Sequence, residues 1–125
     1  MILDTNAVSA LAEKDSRLLN VIAHAPCLVL SFIAHAEFEY GLLGSNRPTA
    51  GLKLLAELAD CIPLLLPDKR TLTHYARIKD ELKQKGRPIP DNDIWIAALA
   101  QQHAMPILSR DRHFDFVEGI QRQDW

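Results

Sequence analysis

The spacing of the apolar runs constrains this chain more than any other feature. Residues 1–3, 27–31, 62–66 and 106–109 are short and apolar, and the intervals between them carry helical periodicity. Strands that alternate with helices are joined by crossovers rather than hairpins. Such connections make the strands parallel and place helices on both faces of the sheet. At 125 residues, 48% of them apolar, the chain has material for one such core, so residues 1–125 read as a single α/β unit.

Several boundaries are marked by side-chain chemistry. Thr5 or Asn6 is suited to cap a helix over residues 7–13, and Asp15 or Ser16 a second one carrying Leu18, Leu19, Ile22 and Ala23. A helix over 33–44 ends in Gly44, and another over 49–59 aligns Leu52, Leu55, Ala56 and Ala59. Pro63 and Pro67 in and after the 62–66 run predict a strand near the sheet edge. Residues 71–84 are amphipathic and stop at Gly86; Asp91 is placed to cap a nearly continuous apolar helix over 93–104. The tail after Asp111 reads as irregular.

Most acidic residues fall on charged faces, but four do not. On a wheel of 3.6 residues per turn, Glu37 falls among Ile33, Ala34, Tyr40, Gly41 and Gly44, while Glu39 lies on the far side near His35. Phe38 and Leu42 point away from Glu37 and read as a surface for a partner copy. Asp93 shares a face with Ala97, Ala100 and Ala104, although an acid in the first helical turn also complements the helix dipole. Asp4 and Asp111 follow the ends of apolar strands, where open parallel sheets bind their ligands. Four such carboxylates in one crevice repel one another unless they take up protons or hold a cation. A hard ion such as Mg²⁺ or Mn²⁺ takes oxygen ligands, and a site of that kind hydrolyses phosphodiesters by activating a water and offsetting charge on the phosphate.

Other chemistries find less support. Cys27 and Cys61 lack a CxxC spacing and read as small buried hydrophobes in a reducing compartment, and the five histidines are scattered among surface and core positions. With 14 basic against 16 acidic residues, the net charge of -2 neither supports nor excludes a nucleic-acid partner, and Arg87, Arg110 and Arg112 are local candidates for phosphate contacts. No charged leader precedes an apolar segment and no apolar stretch approaches bilayer length, so the expectation is a cytoplasmic protein with no membrane partner.

Four motifs in order then resemble the PIN-domain ribonucleases, specifically the VapC-type toxins of type II toxin–antitoxin pairs. They are Asp4-Thr5-Asn6 after the first strand, the Glu37 helix, the loop Gly86-Arg87-Pro88-Ile89-Pro90 leading to Asp93-Ile94, and the stretch Ile107–Phe114; the closing Asp124-Trp125 is also familiar from that family. The resemblance implies a PIN-like three-layer sandwich, a mainly parallel sheet between helices. It also implies a Mg²⁺-dependent (or Mn²⁺-dependent) endoribonuclease with Asp4, Glu37, Asp93 and Asp111 as catalytic and metal-holding residues, and Asn6 and Ser109 as polar supports. Asp115 is a rival for the fourth acid, and Ser109 stands where threonine is commoner. The implied substrates are structured RNAs, tRNA or rRNA, cut in single-stranded loops. The implied partners are a cognate VapB-like antitoxin and a second copy of the chain. Two other readings stay open: a catalytically silent interaction module on the same scaffold, and a receiver-type domain phosphorylated on a strand-end aspartate. The latter lacks the second aspartate of a DxD motif and a lysine after the 107–109 strand.

Overall fold

The computed structural model describes residues 1–125. In chain order the elements are β1 (Ile2–Leu3), α1 (Thr5–Ala12), α2 (Ser16–Ala23), β2 (Val29–Ser31), α3 (Phe32–Leu43), α4 (Pro48–Cys61), β3 (Leu64–Leu65), α5 (Lys69–Gln84), α6 (Asp91–His103), β4 (Ile107–Leu108), a 3₁₀ turn (Arg112–Phe116) and β5 (Arg122–Gln123). The strands form one sheet in the order β3-β2-β1-β4-β5, and every neighbouring pair is parallel.

The chain moves outward from β1 through β2 to β3, then returns to the other side of β1 for β4 and β5. Right-handed crossovers in opposite directions put their helices on opposite faces. Hydrophobic contacts follow that division. Ile2, Val29 and Ile107 face a core shared with Ile78 and Leu82 of α5 and with Ile94, Ala97 and Ala98 of α6. Leu3, Leu30 and Leu108, the next residue along each strand, face a second core with Ala7 and Val8 of α1, Leu18 of α2, Ala34 of α3 and Leu55 of α4. Strands buried on both faces have no polar side to display, which is why they read as unbroken apolar runs. The reversal of strand order falls between β1 and β4, and sheets of this kind form their ligand crevice there, past the carboxyl ends of the strands.

Local chemistry corrects several sequence-based expectations. The cap of α1 is neither Thr5 nor Asn6 but Asp4, whose carboxylate accepts from the Thr5 N–H. Asp15 caps α2 as expected, whereas the N-cap of α6 is Pro90, with Asp91 the first helical residue. The tail is not irregular: Ile107 pairs with Arg122 and Leu108 with Gln123, adding a fifth strand that carries no apolar signature. Cys27 and Cys61 are exposed rather than buried. Phe38 packs against the α1–α4 core, and the Leu42 side chain fills the space beside Gly51, where an added Cβ would meet it at 2.1 Å. The outward-facing apolar residues of α3 are instead Tyr40 and Leu43. No helix is long and apolar enough to cross a membrane.

Candidate active site

Asp4 is the most deeply placed acid of the crevice, 5% exposed. It ends β1 and starts α1, so one carboxylate serves both as helix cap and as strand-end acid. One oxygen accepts from Thr5 N–H at 2.7 Å. The other accepts from Asn6 Nδ2 at 2.8 Å and Ser109 Oγ at 2.7 Å. Those donors favour the charged form, yet burial outweighs them, and Asp111 and Glu37 add repulsion. The net result is an Asp4 carboxyl above the ordinary carboxylate range.

Asp93 occupies the third position of α6 with its side chain 16% exposed. Its pKa is pushed up to about 6, first by burial and then by Asp111, with a smaller push from Asp4. Asp111 caps the 3₁₀ turn, accepting from His113 N–H at 2.9 Å, while its own N–H donates to Ser109 Oγ at 2.9 Å. The His113 ring completes the group, its Nδ1 lying 3.1 Å from Asp93 Oδ2 and 3.1 Å from Asp111 Oδ1. One ligand atom from each of Asp93, Asp111 and His113 lies within 4.8 Å of the others, a spacing that one metal ion can span.

Glu37 closes the crevice from α3. Asn92 Nδ2 donates to one of its oxygens at 2.6 Å, and Thr5 Oγ1 donates to the other. The structure thus brings Asp4, Glu37, Asp93 and Asp111 to one end of the sheet, with Asn6 and Ser109 between them. Asp115 is turned elsewhere. It forms a two-pronged pair with Arg122, at 2.7 Å to Nε and 3.0 Å to Nη2, which holds its carboxyl below the ordinary range.

Three participants escaped the sequence reading: Thr5, Asn92 and His113. Thr5 has a signal, since it stands beside Asp4, but its residue type suits a helix cap equally well. Asn92 and His113 had none, because their roles depend on the packing of α6 and the 3₁₀ turn against other elements. Two of the three arginines considered for phosphate contacts are engaged elsewhere. Arg87 lies over the Phe116 ring at 5.0 Å and Arg110 over Trp125 at 4.3 Å, while Arg112 is exposed.

A parallel sheet sandwiched by helices, with carboxylates gathered where its strand order reverses, defines a class, and the comparisons with known proteins agree on it. A model of the PIN domain matches residues 1–120, and the chain belongs to the PIN domain family, on its VapC branch. Ribonuclease VapC1 of Haemophilus influenzae strain R2866 is 33% identical to it, the match covering 98% of this chain and 96% of that protein. The tRNA(fMet)-specific endonuclease VapC of Shigella flexneri is 29% identical over 78% of this chain and 75% of its own. The 2.2 Å resolution structure of VapBC-1 from nontypeable Haemophilus influenzae superposes with a TM-score of 0.88 at 27% identity, covering 99% of this chain and 96% of that one.

Proposed function

We propose that this chain is a Mg²⁺-dependent endoribonuclease, with Mn²⁺ able to substitute, and that it acts as the toxin of a toxin–antitoxin pair. The observation that carries the reading is the convergence of Asp4, Glu37, Asp93 and Asp111 with two of the four carboxyls displaced upward. Burial is the larger cause of both displacements and the neighbouring like charges add to it, and a divalent ion relieves both costs.

The donor set fits such an ion. It is dominated by carboxylate oxygens and contains no thiolate, which suits Mg²⁺ or Mn²⁺ better than a softer metal. Asp4, Asp93 and Asp111 would hold the ion, with Glu37 at the rim. When bound, it supplies Lewis acidity that makes a water easier to deprotonate and offsets charge building on the scissile phosphate.

The chain's own residues orient the reaction. Asn6 and Ser109 fix one oxygen of Asp4, while Thr5 and Asn92 hold both oxygens of Glu37. Asp93, pushed up to about 6 in the ion-free fold by burial and by Asp111, is a carboxyl whose charge a bound cation would favour. His113 Nδ1 hydrogen-bonds Asp93 and lies 3.1 Å from Asp111 Oδ1, which restrains the Asp93 side chain.

Asp4 is buried and the Asp93 side chain is only 16% exposed, and a single-stranded loop reaches such carboxylates more easily than a duplex does. Structured RNAs, tRNA or rRNA, are the substrate class, and the name of the Shigella relative supports tRNA. The VapBC complexes among the structural relatives support a VapB-like antitoxin as partner. A homodimer acting in the cytoplasm completes the reading. The test is incubation of the purified protein with a mixed tRNA and rRNA pool, in Mg²⁺ and in EDTA, beside a folded Asp4→Asn variant. Defined fragments from the wild type in Mg²⁺ alone are expected. Fragments that persist in EDTA or in the variant would exclude this site as their source.

A further inference from the structure

The turn that follows β4 carries two groups of the acidic crevice, Ser109 and Asp111, and its backbone leaves the sheet there. Ser109 is fully buried, with its N–H donating to the Gln123 carbonyl at 2.9 Å. Its own carbonyl has no strand partner and is met instead by Arg122 Nη1 at 3.0 Å. The same guanidinium makes the two-pronged pair with Asp115 and reaches Asp124 Oδ2 at 3.3 Å. With a side chain only 14% exposed, Arg122 occupies its fork on three partners at once. A planar guanidinium does this in a fixed geometry that an ammonium cannot copy.

We propose that Arg122 is a positioning residue of the acidic site. It pins the Ser109 carbonyl, so that Ser109 Oγ stays on Asp4 and receives the Asp111 N–H, and it keeps Asp115 out of the cluster. Its influence runs through contacts already described: Arg122 to the Ser109 carbonyl, Ser109 Oγ to Asp4 at 2.7 Å, and Asp111 N–H to Ser109 Oγ at 2.9 Å. The inference rests on the proposed divalent-cation site, and it assigns a function to a strand that bears no catalytic group itself.

The test compares wild type, Arg122→Gln, Arg122→Lys, Asp115→Asn and Asp4→Asn by titration calorimetry with Mn²⁺, with melting temperatures in EDTA and RNA cleavage alongside. Groups that orient metal ligands typically change affinity by about 10–100-fold. Arg122→Gln is expected to bind Mn²⁺ at least about tenfold more weakly and to lower kcat more than it raises KM. Arg122→Lys should recover less than half of that loss on a logarithmic scale, because charge returns without the fork. Asp115→Asn should lose less than Arg122→Gln, since the bond to the Ser109 carbonyl survives. Wild-type Mn²⁺ affinity in both folded Arg122 variants, while Asp4→Asn loses binding, would overturn the proposal and leave the cation site standing. Undiminished binding in Asp4→Asn would overturn the cation site and this inference with it. Should Arg122→Gln not fold, the lysine variant alone decides, and wild-type affinity there overturns the proposal.

Discussion

Replacing Asp93 by asparagine isolates the electrostatic cost of the crevice, because it removes a charge and almost no volume. Asp93 accepts one side-chain hydrogen bond, from His113, whereas Asp4 accepts three donors, one of them the Thr5 N–H through which it caps α1. Asp93 is therefore the cleaner site for the test. A carboxyl whose pKa is about 6 in the fold and 3.8 outside it destabilises the fold at neutral pH by up to about 3 kcal/mol. Losing the His113 bond costs about 1 kcal/mol, and partial solvent screening trims the gain further. A net stabilisation of about 1–2 kcal/mol remains, or roughly 4–8 °C for a domain of this length.

The sign with pH follows from which state binds the proton more tightly. The folded pKa is raised, so the native state takes up the proton first as pH falls. The destabilisation is therefore complete above about pH 6 and fades toward pH 3.8. Melting curves of wild type and Asp93→Asn in EDTA should differ most at pH 7.5 and converge near pH 4. Excess Mg²⁺ should then raise the wild-type melting temperature and do much less for the variant, because only native-state binding stabilises. A variant that melts below wild type in EDTA at pH 7.5 would refute the crowded-carboxylate reasoning. So would a difference that widens as pH falls.

Two further outcomes can be measured directly. Asp111→Asn should reduce RNA cleavage far more than Asp115→Asn, because Asp115 spends its charge on Arg122 and lies outside the cluster; the opposite ranking in initial rates would move the fourth acid to Asp115. Thr5→Val keeps the shape of the residue but removes the donor to Glu37, so cleavage should fall by about tenfold while stability changes by no more than about 1 kcal/mol. An unchanged rate would show that Asn92 alone suffices to hold Glu37.

The apolar runs revealed the layer architecture because a doubly covered parallel sheet suppresses strand alternation. They located β1, β2 and β4 at their most buried residues, and the prolines flagged β3 as an edge strand. β5 had no such signal. Arg122 and Gln123 are polar, and the ladder recruits them because a parallel partner needs backbone groups, not apolar side chains. The same limit explains His113, whose ring reaches Asp93 only because Asp111 caps the turn that bears it. Capping rules misplaced the start of α1 for a related reason. They rank side chains by local competence, and Thr5 and Asn6 are competent, but both hydrogen-bond across the crevice instead.

Glu37 lies beside the crevice acids for reasons that the helical wheel describes only in part. The wheel placed it in a tight apolar sector, yet of those neighbours Ile33 and Ala34 are buried while Tyr40 is 79% exposed. Periodicity reports the average burial of a face, and the second half of α3 runs out past the core. Glu37 belongs to the crevice because Thr5 and Asn92, from α1 and α6, reach out to it. Convergence of three elements is a tertiary fact, and no pattern along α3 encodes it.

Asp4 and Asp93 differ from the acids outside the crevice in the sign of their displacement. Asp15 and Asp68 cap helices, Asp91 pairs with Lys79, Asp115 with Arg122 and Glu118 with Lys85, and all five carboxyls are held below their ordinary range. Their charges are welcome where they sit. Asp4 also caps a helix and accepts three donors, but it is pushed the other way, as is Asp93. The hydrogen bonds that satisfy Asp4 fail to offset its burial beside other acids. The fold tolerates these two charges at a cost to its own stability, and a cation bound among them is the interaction that would reverse it.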